Sequence, residues 1–202
     1  MTERLPASVP GMRIGLYGGS FNPAHAAHRM VAERALKRLG LDRVWLLVTP
    51  GNPLKETNGL RPLAERIAIV GRVMRDPRIV PTGIEATLGT HFTIDSLKAL
   101  KARCPGVRFV WIMGGDNLRD FSRWRDWRGI ARQMPIAVID RPGTTHSAVR
   151  SNAAQWLRPY RIEESDAAML ADLKPPSWVF LHGPRSDLSS TAVRQGASPE
   201  PA

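Results

Sequence analysis

Cysteine is almost missing from this chain: its 202 residues include one, Cys104. No internal disulfide can form, and nothing asks for an oxidising compartment. No apolar run approaches the ~20 residues of a membrane-spanning helix, and the N-terminal MTERLPASVPG lacks the apolar stretch of a secretion signal. A cytoplasmic protein is expected. Acidic residues are also scarce, 18 Asp+Glu against 29 Lys+Arg, giving a net charge of +11. That balance favours anionic partners without choosing between nucleic acid, membrane surface and small phosphates. A basic nucleic-acid-binding module is the non-enzymatic alternative. The arginines are dispersed, however, and neither a known DNA or RNA motif nor an aromatic-basic ladder is visible. No nucleic-acid or membrane partner is expected, and homo-oligomerisation is compatible with the sequence. With 43% hydrophobic and 23% charged residues, 17 Gly and 17 Pro, the composition is that of an ordinary globular protein with many sharp connections. A domain of this length buries roughly 70% of its unfolded surface, so staples or metal are not needed for folding.

The order of apolar segments sets the architecture. Residues 1–12 lack periodicity and read as a flexible leader. Arg13–Tyr17 reads as a buried strand ending on Gly18-Gly19, followed by a helix from Ala24 to about Leu39 that Gly40 stops. Further strands are expected at Arg43–Val48, Arg78–Ile84, Val107–Met113, Pro135–Ile139 and Ser177–Leu181. Helices are expected at Pro62–Arg75, Thr93–Cys104 and Trp124–Gln133, with a polar, weakly helical stretch over 144–176 and a helix start over Ser189–Gln195. Strands that are apolar on both faces and alternate with helices imply an α/β doubly wound, mostly parallel sheet covered on both sides. The reading is one domain over 13–196 with a flexible tail at 197–202. Such sheets bind ligands beyond the carboxyl ends of their strands, at a topological switch point. That places the chemistry in the loops after Tyr17, Thr49, Met113 and Leu181.

The first of these loops is GGSFNPAHAAH, residues 18–28. Its glycines let backbone approach a ligand, and the helix that follows offers free N–H groups and a positive dipole to an anion. It is neither the G-x-G-x-x-G dinucleotide fingerprint nor a P-loop. Two histidines, His25 and His28, stand three apart at the helix start and can donate hydrogen bonds to phosphate oxygens. The plain alternative is two surface histidines. Zinc ligation ranks below phosphate binding, because His91, His146, His182 and Cys104 show no metal spacing. Ser189, Ser190 and Thr191 stand where a helix should begin, with Arg194 one turn on; taken alone they are as well explained as a helix cap. Lys55 by itself would be a solvated loop lysine. Asp116, expected in a loop beyond two glycines, could accept from a ribose or close an Asx-turn. Trp124 and Trp127 on a short helix are ordinarily core residues.

Taken together these segments carry a resemblance. GGSFNPAHAAH resembles the G-[GT]-[ST]-F-[DN]-P-x-[HT]-x-G-H signature of the nucleotidyltransferase superfamily with Rossmann-like fold, in the form seen in bacterial nicotinate-nucleotide adenylyltransferases. PGNPLK (50–55), THFTIDSL (90–97), GGDNL with Trp124 (114–124) and LSSTAVR (188–194) resemble further segments of that family, in the same order. Three positions depart from its pattern: Ala27 stands for a glycine, Leu54 for a histidine and His91 for a tyrosine. The family pattern continues past its last motif with more helix, whereas this sequence runs into GASPEPA, so a short last helix is expected.

The resemblance implies adenylyl transfer from ATP to nicotinate mononucleotide, giving nicotinate adenine dinucleotide and pyrophosphate. Nicotinamide mononucleotide and phosphopantetheine adenylyltransferases are the nearest rivals. His25, His28 and Arg194 are the implied catalytic residues. Gly18, Gly19, Ser20, Phe21, Gly115, Asp116, Ser190 and Thr191 would bind ATP. Lys55, Thr90, Trp124 and Arg125 would bind the mononucleotide, with Trp124 stacking on the pyridine and Thr90 and Arg125 near its carboxylate. Trp127 is left to the core, and no residue is assigned to a protein-held metal. Mg2+ is expected to arrive with ATP.

Overall fold

The computed structural model describes residues 4–51, 59–140 and 148–182. Six strands form one all-parallel sheet: β1 (Arg13–Gly19), β2 (Arg43–Val48), β3 (Ile79–Thr82), β4 (Arg108–Gly114), β5 (Ile136–Ile139) and β6 (Trp178–Leu181), in the order β3-β2-β1-β4-β5-β6. The chain therefore leaves β1 in one direction and restarts at β4 in the other, which opens a crevice above the carboxyl ends of these two central strands.

Period-two alternation within each strand builds two cores. Ile14 and Leu16, Trp45 and Leu47, Phe109, Trp111 and Met113, and Trp178 and Phe180 face one side. Val44, Leu46 and Val48, Val110 and Ile112, and Val179 and Leu181 face the other. Both faces are apolar because both are covered. On the first side lie α3 (Ile84–Leu88), α4 (Thr93–Arg103), α5 (Gly115–Asp120), α6 (Trp127–Gln133) and α7 (Asn152–Leu157). On the second lie α1 (Ala26–Arg38), α2 (Leu63–Val73) and a 3-10 segment over Glu164–Asp172. Gly15 sits where β1 meets this second layer: a Cβ there would stand 2.4 Å from Ile112 Cδ1 and 2.8 Å from Leu41 Cδ1. Residues of the expected leader touch the amino end of the sheet, where Gly11 N–H donates to the Gly106 carbonyl at 2.8 Å and Arg43 donates to the Ala7 carbonyl at 3.0 Å.

On the first side of the sheet α3, α5 and α6 differ from the sequence-based expectation. The expected strand over Arg78–Ile84 ends at Thr82, whose Oγ1 accepts from the Ile84 N–H at 3.1 Å and turns the chain into α3. Beyond Gly114, where a loop was expected, the chain enters α5 directly. A 3-10 turn over Phe121–Arg123 follows, and α6 begins only at Trp127, capped by Asp126, whose Oδ1 accepts from the Gly129 N–H at 3.1 Å. Trp124 thus lies ahead of the helix that holds Trp127.

Candidate active site

The loop between β1 and α1 is held in an unusual backbone state. Phe21 has φ +46°, a left-handed conformation that costs a side-chain-bearing residue about 1–2 kcal/mol. Its ring is buried and offsets that cost, meeting Tyr17 edge-on at 5.5 Å and His28 at 5.0 Å. The same packing explains the two glycines. A Cβ on Gly18 would stand 2.7 Å from the Trp111 indole, and one on Gly19 would stand 3.2 Å from the Phe21 ring. A Cβ at Gly18 would make the Trp111 indole shift and one at Gly19 would crowd the Phe21 ring, so bare backbone ends β1 where the turn begins.

His25 is the N-cap of α1 and His28 its third residue, so the helix starts two residues later than the sequence suggested. Both rings are buried, with centroids 3.9 Å apart. The His25 backbone N–H donates to His28 Nδ1 at 3.3 Å. A ring nitrogen that accepts carries no proton, so neutral His28 holds its proton on Nε2 and presents a donor there. The two imidazoles, the glycine turn and the N-terminus of a 13-residue helix therefore meet beside the switch point.

Sequence reasoning missed the residue that fixes this loop. Arg66, on α2, is 1% exposed and donates to the carbonyls of Ser20, Thr49 and Arg61, each at 2.8 Å. It ties the loop after β1 to the loop after β2. Burial lowers its pKa from the ordinary arginine value. The available signal was an arginine inside the apolar stripe Leu63, Ile67, Val70. Asn22 adds a second tie: its Nδ2 donates to the Gly59 carbonyl at 3.1 Å.

A second group of polar residues gathers beyond β2 and β3. Thr90 Oγ1 and Ser96 Oγ are hydrogen-bonded at 2.8 Å, and Ser96 Oγ donates to Glu85 Oε1 at 2.8 Å. Burial pushes the Glu85 carboxyl up, against the pull of the Ser96 and Thr49 hydroxyls. Nothing in the sequence marked Glu85, an acidic residue in a short helix that the pattern did not disclose.

The structure joins some of the expected site residues by contact. Phe21 joins Gly19 to His28, and Trp111 joins Gly18 to Trp124, whose ring lies 6.2 Å away. Trp124 is half-buried and also meets Phe121 at 5.4 Å. The next residue, Arg125, places its guanidinium 4.4 Å from the centre of the Phe92 ring, two residues from Thr90. Trp127 is in the core. Gly115 and Asp116 lie at the end of β4, but Asp116 is in the first turn of α5 and not in a loop. Gly114 keeps the extended backbone of the strand, at φ −79° and ψ 162°, and is itself the N-cap of α5, so strand passes into helix without a connecting segment. Lys55, Ser190, Thr191 and Arg194 lie outside the described residues.

This geometry has relatives. The sequence pattern of the cytidylyltransferase-like family matches residues 16–196. The chain belongs to that family. Among its cytidylyltransferase-like relatives, a Rhizobium johnstonii protein described as a probable nicotinate-nucleotide adenylyltransferase is 55% identical over 194 residues, covering 96% of this chain and 98% of that protein. A Methylorubrum extorquens protein with the same description is 57% identical over 183 residues, 91% of this chain and 99% of its own. In fold, the chain is similar to Plasmodium falciparum nicotinic acid mononucleotide adenylyltransferase complexed with NaAD, with TM-score 0.66 at 20% identity over 91% of this chain and 83% of that one. The resemblance read from five ordered motifs agrees with these relatives. Among the described residues, no helix of this cytidylyltransferase-like chain is long and apolar enough to cross a membrane.

Proposed function

We infer that this chain is a nicotinate-nucleotide adenylyltransferase, transferring the adenylyl group of ATP to nicotinate mononucleotide with release of pyrophosphate. The observation that carries the reading is the pair of imidazoles 3.9 Å apart at the start of α1, behind the two glycines that end β1 under the Trp111 and Phe21 rings. That is an anion cradle at the switch point, and relatives 55–57% identical to this chain are described as enzymes of this reaction.

The chemistry asks for positioning more than for proton transfer. A phosphate oxygen of the mononucleotide forms a bond to the α-phosphorus of ATP, and the bond from that phosphorus to the oxygen bridging to the β-phosphate breaks. Pyrophosphate leaves with that electron pair. The nucleophile is already an anion, so no general base is required. The protein must hold the two phosphates in line and offset charge growing on the α- and β-phosphoryl oxygens. His28 would donate from Nε2 to those oxygens, with His25 and the α1 N-terminus adding donors and positive dipole.

Gly18, Gly19, Ser20 and Phe21 would line the nucleotide turn, with Gly115 and Asp116 at the end of β4 on the ATP side. Ser190, Thr191 and Arg194 would take the β- and γ-phosphates. Lys55, Thr90, Trp124 and Arg125 would hold the mononucleotide, Trp124 by stacking. Among the described residues no group of three His, Cys, Asp or Glu side chains could hold a metal. We assign Mg2+ to the substrate, entering on the phosphates of ATP. The reaction is placed in the cytoplasm, where ATP is abundant.

The test is pyrophosphate release from Mg-ATP with nicotinate mononucleotide, nicotinamide mononucleotide or neither. The reading expects release only with a mononucleotide, and faster with the acid. Release with neither, or none with any, would refute it.

A further inference from the structure

We propose that Phe92 is a positioning residue for Arg125: its ring holds that guanidinium beside the mononucleotide, where it takes the pyridine carboxylate on two N–H donors and so favours the acid over the amide. The inference rests on the reading above, in which Trp124 stacks on the pyridine and Thr90 and Arg125 lie near its carboxylate.

Backbone fixes both partners of the contact. Phe92 is the N-cap of α4, with φ −116° and ψ 140°, and its carbonyl accepts from the N–H groups of Asp95 and Ser96 at 3.0 Å and 3.1 Å. Its half-buried ring packs against the first of the two cores. Arg125 follows Trp124 in the short link between the 3-10 turn over Phe121–Arg123 and Asp126, the N-cap of α6. On one side of it the Trp124 N–H donates to the Phe121 carbonyl at 3.0 Å. On the other, Asp126 is held at φ +46°. From this link the exposed Arg125 side chain reaches the start of α4, its Cζ over the Phe92 ring and 4.4 Å from the ring centre.

The kind of contact decides what Arg125 has left to offer. Other arginines of this chain commit N–H donors to carboxylates, Arg119 to Asp120 at 2.9 Å and Arg78 to Asp76 at 2.7 Å. Among the described residues Arg125 has neither an ion pair nor a side-chain hydrogen bond. Asp126, the acid next to it in sequence, accepts from the Gly129 N–H at 3.1 Å. A contact over a ring face is satisfied by charge and leaves the planar fork of donors uncommitted. A carboxylate accepts two such donors side by side, with a charge to match. A carboxamide offers one uncharged acceptor, and its NH2 would meet further donors. The fork thus acts on the group by which the two mononucleotides differ. Resting on the ring also limits the rotamer freedom that a long exposed side chain would lose on binding. Arg128, Arg132 and Arg161 lie over rings too, those of Trp127, Trp156 and Trp178. Among the described residues it is the Arg125 contact that joins the Thr90 segment to Trp124.

The experiment measures KM and kcat for nicotinate and nicotinamide mononucleotides in the wild-type chain, Phe92→Leu and Phe92→Tyr. Phe92→Leu keeps apolar bulk and removes the ring face. Its KM for the acid is expected to rise about two- to fivefold, the size of an exposed cation–π contact, with kcat and the KM for ATP little changed. For the amide, KM, or the inhibition constant where it does not turn over, should not move. Phe92→Tyr retains the ring and should keep the wild-type values. Arg125→Met removes the fork, and adding Phe92→Leu to it should raise the acid KM no further. Should Phe92→Leu fold poorly, Arg125→Lys carries the test: it keeps the charge without the fork and should lower the ratio of acid to amide kcat/KM. A wild-type ratio in Arg125→Lys would overturn the proposal. Equal shifts for acid and amide in Phe92→Leu, or none for either, would overturn the role of Phe92 while leaving the enzymatic reading intact. Absence of turnover with either mononucleotide in the wild-type chain would overturn both.

Discussion

The two ends of the sheet are built on different principles. At the amino end, charge sits in water: Asp172 reaches Arg13 at 2.6 Å and Arg108 at 2.5 Å, through side chains 34–51% exposed. At the carboxyl end of β1 and β2, polar groups are buried. Arg66 is 1% exposed and His25 and His28 are 7% and 9% exposed, behind a phenylalanine in a left-handed conformation. Exposed pairs are screened and can be lost cheaply. Buried donors are strong only while every partner is in place. The end that is costly to build is the end that would hold substrate, which is where strain and buried polarity are expected to collect.

Four substitutions test that contrast, taken from the largest effect down. Arg66→Met removes a charged donor from the carbonyls of Ser20, Thr49 and Arg61. Stranded carbonyls cost about 1–3 kcal/mol each, so denaturant unfolding should show a loss of about 4 kcal/mol, and activity should fall with it. His28→Ala should lower kcat by roughly 10²-fold, about 2.7 kcal/mol of transition-state stabilisation, with a smaller loss in denaturant unfolding from the contacts it empties against Phe21 and His25. Gly18→Ala drives a methyl to 2.7 Å from Trp111; overpacking of this kind costs about 1–3 kcal/mol, and kcat/KM should drop because the turn is displaced. Asp172→Asn should cost less than about 1 kcal/mol and leave kcat unaltered. If Asp172→Asn proved as damaging as Arg66→Met, the contrast between the two ends would fail.

Much of this arrangement was legible beforehand, and the reason lies in periodicity. β2 runs over Arg43–Val48, the bounds its apolar run implies, and the loop at 18–28 is recognisable from its glycines and paired histidines. What escaped depends on long-range contact. α3 is five residues long and follows a run of β-branched residues, so its start is set by the Thr82 hydroxyl and not by pattern. Arg66 reads as a surface arginine until Ser20 and Thr49, distant in sequence, are brought to it. Asp116 was expected in a loop because two glycines usually announce one; here α5 begins at Gly115, directly after β4. Ser96 and Glu85 become a unit only when α3 and α4 pack together.

The central claim, that the imidazoles gathered at the start of α1 drive adenylyl transfer, is tested most directly by following formation of nicotinate adenine dinucleotide in single turnovers of the wild-type and His28→Ala chains, both saturated with Mg-ATP and mononucleotide. The account predicts one dinucleotide per pyrophosphate in the wild type and a chemical step slowed by roughly 10²-fold in a folded variant. An unchanged single-turnover rate in folded His28→Ala would contradict it.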